Sequence, residues 1–202
     1  PDCLMQTHLS EQKEEIDWVK KLFPKSKNYL DVYDKFNLVK KNSIFGHGIH
    51  LEENEIQMLQ ERQASIAHCP TSNTFIGSGV FNLKRLVRNK INIGIATDTG
   101  GGTSFSMLRT MSEAYKISQL SNFSVHPAQL LWLATVGSSI TLNLNDKIGN
   151  ISEGYFADLN IINLNSTIEI EQRLENARNF WEKLFPTIMM GDDRAIKSTW
   201  VS

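Results

Sequence analysis

The sequence predicts an α/β protein built on a parallel sheet, and three observations carry that prediction. Short, nearly continuous apolar segments alternate with amphipathic ones, and four such pairs follow one another in the first 120 or so residues. The apolar segments lack the polar alternation of a half-solvated sheet, so they read as strands buried on both faces. The chemically distinctive residues His8, Glu11, His47, His68 and Asp98 all fall at or just past the carboxyl ends of those segments. That rim carries the active site in a β/α barrel and the ligand site in an open α/β sheet. Four repeats make half of an eight-stranded barrel.

In chain order, Cys3 to His8 reads as a short buried strand. Ser10 is placed to cap the helix after it, with Ile16, Val19, Leu22 and Phe23 on one face and Pro24 ending it. Tyr29 to Val39 reads as a short helix and turn, and Ser43 to His47 as a second strand. Glu52 to Gln63 is a helix carrying Ile56 and Leu59, Ser65 to His68 a third strand, and Phe81 to Asn89 a third helix. Pro70 ends the third strand, and the stretch from Ser72 to Gly79 reads as loop. Ile91 to Thr97 is the fourth strand; a glycine loop and a helix from Met107 to Leu120 follow. Pro127 to Ser139 reads as one helix with Pro in its first turn.

The texture changes near Asp146. Ile148 to Gly154 is turn-rich, Ala157 to Ile162 reads as a strand, Glu171 to Leu184 as a helix and Ser198 to Val201 as a last strand. Residues 1–145 are therefore expected to form the β/α portion, and residues 146–202 part of a small β domain.

Composition narrows the function classes. At 202 residues, 41% hydrophobic and 21% charged, the chain fits an ordinary globular protein. Its net charge is −1, and its Lys and Arg are scattered, not clustered, which argues against a nucleic-acid or membrane surface as partner. No apolar stretch reaches the roughly 18 residues of a membrane span. Cys3 and Cys69 stand far apart without a CxxC spacing, so a disulfide framework is not expected, and a reducing, cytoplasmic setting fits. The first residue is Pro1 in place of Met, which fits either a processed start or a piece of a longer chain.

Each polar residue has a bland and a chemical reading. His8 alone fits a surface or core histidine, and Glu11 alone fits a first-turn carboxylate favoured by the helix dipole. Together they put an imidazole at a strand end and a carboxylate about one turn beyond. His47 stands between Gly46 and Gly48, either as a turn residue or as a donor held over a pocket. His50 reads as a loop residue. Cys69 follows His68, but no orienting base is evident, so a small buried residue is the better reading than a thiol nucleophile. Asp98 closes a strand too apolar to hold a lone charge, which asks for a partner or a metal. The glycines after it match neither GxxxxGK[ST] nor GxGxxG, so the backbone is expected to need space near a ligand or metal. A catalytic zinc normally takes three or more protein ligands, and only His8 and Asp98 stand out.

Taken together, these segments resemble the carboxyl-terminal part of guanine deaminases in the amidohydrolase superfamily. The stretches that carry the resemblance are Gln6 to Glu11, Val32-Tyr33-Asp34, Gly46-His47-Gly48, Ala67 to Asn73, Thr97 to Leu108, Ile148-Gly149, Ala157-Asp158 and Gly191 to Arg194. Gly100 to Leu108 and Gly191-Asp192-Asp193-Arg194 are the segments most particular to the guanine branch. The resemblance implies strands five to eight of the barrel, with His8 and Asp98 as zinc ligands and Glu11 as the acid/base that protonates a purine ring nitrogen. It implies that His47 orients the attacking water and that His8, Leu9, Ser10, Glu11 and Asp98 line the purine pocket. The family's other two ligands form a His-x-His pair on the first strand, and no His-x-His occurs in this sequence.

The implied chemistry is hydrolysis of guanine to xanthine and ammonia at a Zn2+ centre, with Fe2+ the less favoured ion. It implies a cytoplasmic purine-catabolic enzyme, homodimeric at full length, of which this chain is an inactive portion. Three alternatives stay open: another amidohydrolase acting on an amino-heterocycle such as a triazine, a structural half-barrel without activity, and a thiol enzyme using Cys69.

Overall fold

The computed structural model describes residues 3–202. Four parallel strands, β1 (Met5–Leu9), β2 (Ser43–His47), β3 (Ser65–His68) and β4 (Asn92–Ile95), form one sheet in the order β1-β2-β3-β4. Met5 pairs with Ser43 and Leu9 with His47; Gly46 pairs with Ala67, and His68 with Ile95. Parallel neighbours need a crossover, and helices supply each one. These are α1 (Lys13–Leu22) and α2 (Tyr29–Lys35), then α3 (Glu53–Glu61), then α4 (Pro70–Phe75) and α5 (Leu83–Arg88). The register puts Leu9, Phe45, Ile66 and Ile93 on one face of the sheet, and the core they share continues into Leu30, Ile56, Leu59 and Leu86.

After β4, α6 (Met107–Leu120) buries Leu108, Met111, Ala114 and Ile117. They share the core with Leu184 and Ile188 of α10 (Phe180–Met190). Helix α7 (Pro127–Trp132), a π-helical segment (Leu133–Gly137) and α8 (Ser138–Thr141) pack beside β4, where the Ser138 hydroxyl accepts from the Ile95 amide at 3.3 Å. The tail holds β5 (Leu159–Ile162), α9 (Ile168–Leu174), α10, a 3₁₀ turn (Asp193–Ala195) and β6 (Ile196–Trp200). Strands β5 and β6 pair antiparallel, Leu159 opposite Trp200.

The sequence expectations need five corrections. Ser10 does not cap α1: it sits at φ 48, and Gln12 takes the cap position, its amide donating to Glu15 Oε2 at 3.2 Å. The face expected to bury Ile16, Val19, Leu22 and Phe23 has no fully buried residue, and Leu22 and Phe23 are exposed. Of the segment expected as loop after Pro70, Ser72 to Phe75 is helical, with Pro70 at the helix's first position where a missing N–H costs nothing, while Gly77 to Gly79 is loop as expected. The single helix expected over Glu171 to Leu184 is two, because Asn179 caps a new one by accepting from the amides of Trp181 and Glu182. The helix expected from Pro127 to Ser139 changes hydrogen-bonding pattern over Leu133–Gly137.

Candidate metal and active site

Three side chains converge at the carboxyl ends of β1, β2 and β4. One ligand atom each from His8, His47 and Asp98 lies within 4.8 Å of the others. The register brings the first two to neighbouring strand ends, His8 beside Gly46 and Leu9 beside His47; alternation alone would face them apart, but His47 ends its strand at φ 70, and the two imidazole centroids are 5.1 Å apart. His47 Nε2 is 3.8 Å from Asp98 Oδ2. His47 is 1% exposed, Asp98 is partly exposed and His8 is exposed. Two imidazoles and a carboxylate are a donor set that suits zinc, with iron(II) also accommodated. The residues present therefore fit a metal ion.

Glu11 joins this group from the turn before α1. Its Oε1 is 3.3 Å from His47 Nδ1 and accepts from the Ser78 hydroxyl at 2.9 Å. Ser78 in turn accepts from the Gln12 side-chain amide at 3.2 Å, so one hydroxyl links the two residues. Asn73, fully buried on α4, brings its side-chain nitrogen to 2.8 Å from His47 Nδ1. Behind Glu11, the carboxylate of Glu15 accepts from the Glu11 amide at 2.9 Å and from the Tyr29 hydroxyl at 2.8 Å.

The glycine loop after Asp98 packs mostly against protein. A Cβ on Gly102 would stand 1.8 Å from the Thr97 carbonyl oxygen and 2.9 Å from that of Asp98. One on Gly101 would stand 2.7 Å from Ser72 Oγ and 3.5 Å from Asp98 Oδ2. The missing side chains let the loop fold tightly around Asp98, which is a more local reason than the expected space for a ligand.

Other expected residues fall elsewhere. Leu9 is completely buried in the apolar core, because side chains alternate along a strand and His8 takes the other side. Ser10 is buried too, its hydroxyl without a hydrogen-bond partner among the described residues. His50 is tied to the loop by a 2.9 Å contact between Nε2 and the Ser78 carbonyl. His68 stacks on Phe81 with centroids 4.0 Å apart and takes no part in the triangle.

Burial sets the electrostatics. Desolvation holds the His47 imidazole below its ordinary range, against the opposing pull of the Glu11 and Asp98 carboxylates. His68 is pushed down to about 3 by burial, which makes it a neutral core residue. Burial, and then the negative charge of Asp98, raise the Cys69 thiol to about 12. A thiol so far from ionising is a poor nucleophile, so Cys69 is better read as packing.

Sequence reading missed Asn73 and Ser78. Both lie on the segment read as loop, and the available signal was Pro70 opening a helix directly after a strand end. A cavity of about 1000 Å³ lined by Tyr115, His126, Trp181 and Phe185 contains none of the candidate residues.

A parallel sheet with imidazoles and carboxylates gathered on its carboxyl rim defines an α/β protein with a candidate metal centre. The chain belongs to the amidohydrolase family, whose model matches residues 2–202. It is 44% identical over 201 residues to a guanine deaminase of Escherichia coli (strain K12), covering 100% of this chain and 46% of that protein. Its fold is similar to the solved structure of E. coli guanine deaminase, at a TM-score of 0.97 over 100% of this chain and 46% of the other. It is also similar to a guanine deaminase from C. acetobutylicum solved with guanine in the active site. There the TM-score is 0.86 at 31% identity, over 97% of this chain and 46% of the other. The chain thus spans about half the length of these relatives. No helix among the described residues is long and apolar enough to cross a membrane.

Proposed function

We propose that this chain is the carboxyl-terminal portion of a zinc-dependent guanine deaminase, which converts guanine and water to xanthine and ammonia. In this reading residues 1–145 are the second half of a β/α barrel and residues 146–202 part of a small β domain. The observation that carries the proposal is the convergence of His8, His47 and Asp98 donor atoms within 4.8 Å, with Glu11 3.3 Å from His47. The relatives named guanine deaminase, one of them solved with guanine in its active site, support the choice of substrate.

His8 and Asp98 would hold the ion, with a His-x-His pair contributed from outside these 202 residues. A zinc ion there supplies Lewis acidity that lowers the pKa of a water molecule from 15.7 to about 7. His47 orients the water from one side. Asp98 takes one of its protons as the oxygen attacks the amine-bearing carbon of guanine. Glu11 gives a proton to the adjacent ring nitrogen, so no negative charge accumulates on the ring. Asp98 then passes its proton to the amino group, which leaves as ammonia. The new hydroxyl returns a proton to Glu11 as the carbonyl of xanthine forms. Protons balance, and both carboxyl groups are reset.

The pair of reduced cysteines supports a cytoplasmic setting, and the family resemblance supports a homodimer. For the 202 residues alone a second reading holds. Strands β1 and β4 are the sheet's outer strands and His8 is exposed, so the isolated segment is expected to bind zinc weakly and self-associate.

The test uses the complete zinc-loaded polypeptide that carries this chain, assayed with guanine, adenine, cytosine and a triazine. Guanine should be turned over in preference. Glu11→Gln should retain zinc and lose about 10²–10⁴-fold in rate. Zinc-loaded protein that does not turn over guanine would refute the proposal.

A further inference from the structure

We propose that Asn73 is a positioning residue that fixes the proton of His47 on Nε2. His47 then faces the donor triangle as a hydrogen-bond donor and not as a third metal ligand. The inference rests on the metal-centre reading above, and its deciding measurement, the ring-nitrogen spectrum, needs no metal, guanine or turnover.

The argument begins with the 2.8 Å contact between Asn73 Nδ2 and His47 Nδ1. An amide nitrogen has only hydrogens to offer, so Nδ1 must accept, and a neutral imidazole then carries its hydrogen on Nε2. Nε2 is the nitrogen that stands 3.8 Å from Asp98 Oδ2. A ring nitrogen that bears a hydrogen has no lone pair for a metal ion. Of the three clustered donors, His8 and Asp98 remain free to ligate, and His47 is left to hold and orient whatever oxygen lies between them.

The amide is held where it can impose this choice. Asn73 is completely buried, its own N–H donates to the Cys69 carbonyl at 3.0 Å, and its carbonyl accepts from the Ser78 amide at 2.9 Å. The imidazole is equally confined, 1% exposed on a residue at φ 70. Burial and these backbone bonds keep both groups side by side. The competing arrangement is a single one. If the amide were turned over, Oδ1 would face the ring, Nδ1 would carry the hydrogen toward Glu11 Oε1 at 3.3 Å, and Nε2 would be open to a metal. Asn73 Oδ1 is buried and has no hydrogen-bond partner among the described residues, so the contact on Nδ2 is the one side-chain bond of this amide among them.

The experiment labels the metal-free protein with [15N]-histidine and records ring-nitrogen correlation spectra at about pH 8, above the ordinary imidazole range. The His47 signals are identified by their absence in His47→Gln. The expected result is a protonated Nε2 and an unprotonated Nδ1. Asn73→Asp replaces the donor by a carboxylate that only accepts, so the pattern should invert. Zinc should then be retained against a competing chelator about tenfold better, in line with the leverage of groups behind a metal ligand. A protonated Nδ1 in the unaltered protein, or no inversion in Asn73→Asp, would overturn the proposal. If Asn73→Asp does not fold, the unaltered spectrum still decides. A protein that shows Nε2–H but does not deaminate guanine refutes the substrate and leaves the role of Asn73 standing.

Discussion

Lowering the pH from about 7.5 to about 5 should destabilise this protein through His68, and the size of the effect follows from burial. The imidazole is 1% exposed, stacks on Phe81 and has no partner at Nδ1 among the described residues. Its pKa falls from 6.5 to about 3 in the folded state. Below the unfolded value the unfolded chain binds a proton that the native one refuses, so stability rises with pH and is lost in acid. The loss starts near 6.5 and continues down to about 3. One such group costs about 2 kcal/mol by pH 5, at about 1.36 kcal/mol for each unit. With a urea slope of about 2–3 kcal/mol per M, the midpoint should fall by about 0.7–1 M. Urea titrations followed by tryptophan fluorescence at both pH values, on the protein and on His68→Leu, isolate this group from His47, whose imidazole burial also lowers. His68→Leu changes absolute stability by itself, so only the difference between the two pH values counts. Equal acid losses in the two proteins would refute the buried, neutral histidine.

Three further outcomes follow from the same geometry. Cys3 is exposed and Cys69 buried, with its thiol held up near about 12, so a disulfide reagent at mildly alkaline pH should label Cys3 and spare Cys69 until the protein is unfolded, as mass spectrometry would show. Cys69→Ala should leave deamination in place, and its loss would revive the thiol reading. Ser78→Ala removes the 2.9 Å donor to Glu11, a bond to a charged group worth about 1.5–3 kcal/mol. In the complete polypeptide kcat/KM should fall about 10–100-fold with zinc content unchanged. Gly102→Ala pushes a methyl group to within 1.8 Å of a backbone carbonyl that cannot yield, so the loop must move and carry Asp98 with it. Its purified zinc content, measured by atomic emission, should fall well below that of the unaltered protein.

How legible each part was depends on the range of the interaction that forms it. Strands β2 and β3 and helix α6 follow from their apolar pattern, because burial on a repeating face writes a local period into the sequence. His8, Glu11, His47 and Asp98 were legible as a group because parallel topology brings every strand's carboxyl end to one rim, so position along a strand stands in for position in space. Asn73 and Ser78 were not legible in that way. Asn73 meets His47 across 26 residues and Ser78 meets Glu11 across 67, and no periodicity records a hydrogen bond between two turns. The division at Asn179 was readable, since an Asn three residues before a Glu is a helix-start pattern. In α1 the amphipathic pattern holds while its apolar face stays largely uncovered, because a pattern names a face and not what lies against it.

At the site, as at several turns elsewhere, the backbone departs from what L-residues prefer. Ser10, His47 and Asp98 lie at φ 48, 70 and 50, each at or just past the end of a rim strand. A left-handed residue other than glycine costs about 1–2 kcal/mol, so the three together cost about 3–6 kcal/mol. That is a large share of a net stability of about 5–15 kcal/mol. Such strain persists only where neighbouring packing leaves no alternative. The strands show how this is arranged. Leu9 directly precedes Ser10, Phe45 stands two residues before His47, and Ile95 three before Asp98; Leu9 and Phe45 are completely buried and Ile95 nearly so. Each buried apolar side chain contributes about 1.5–3 kcal/mol, enough to offset the turn beyond it. The core beneath the rim and the polar groups above it are therefore one construction. Shrinking Phe45 should loosen His47 before it unfolds the sheet, because the strained residue is the first to relax when its anchor is lost.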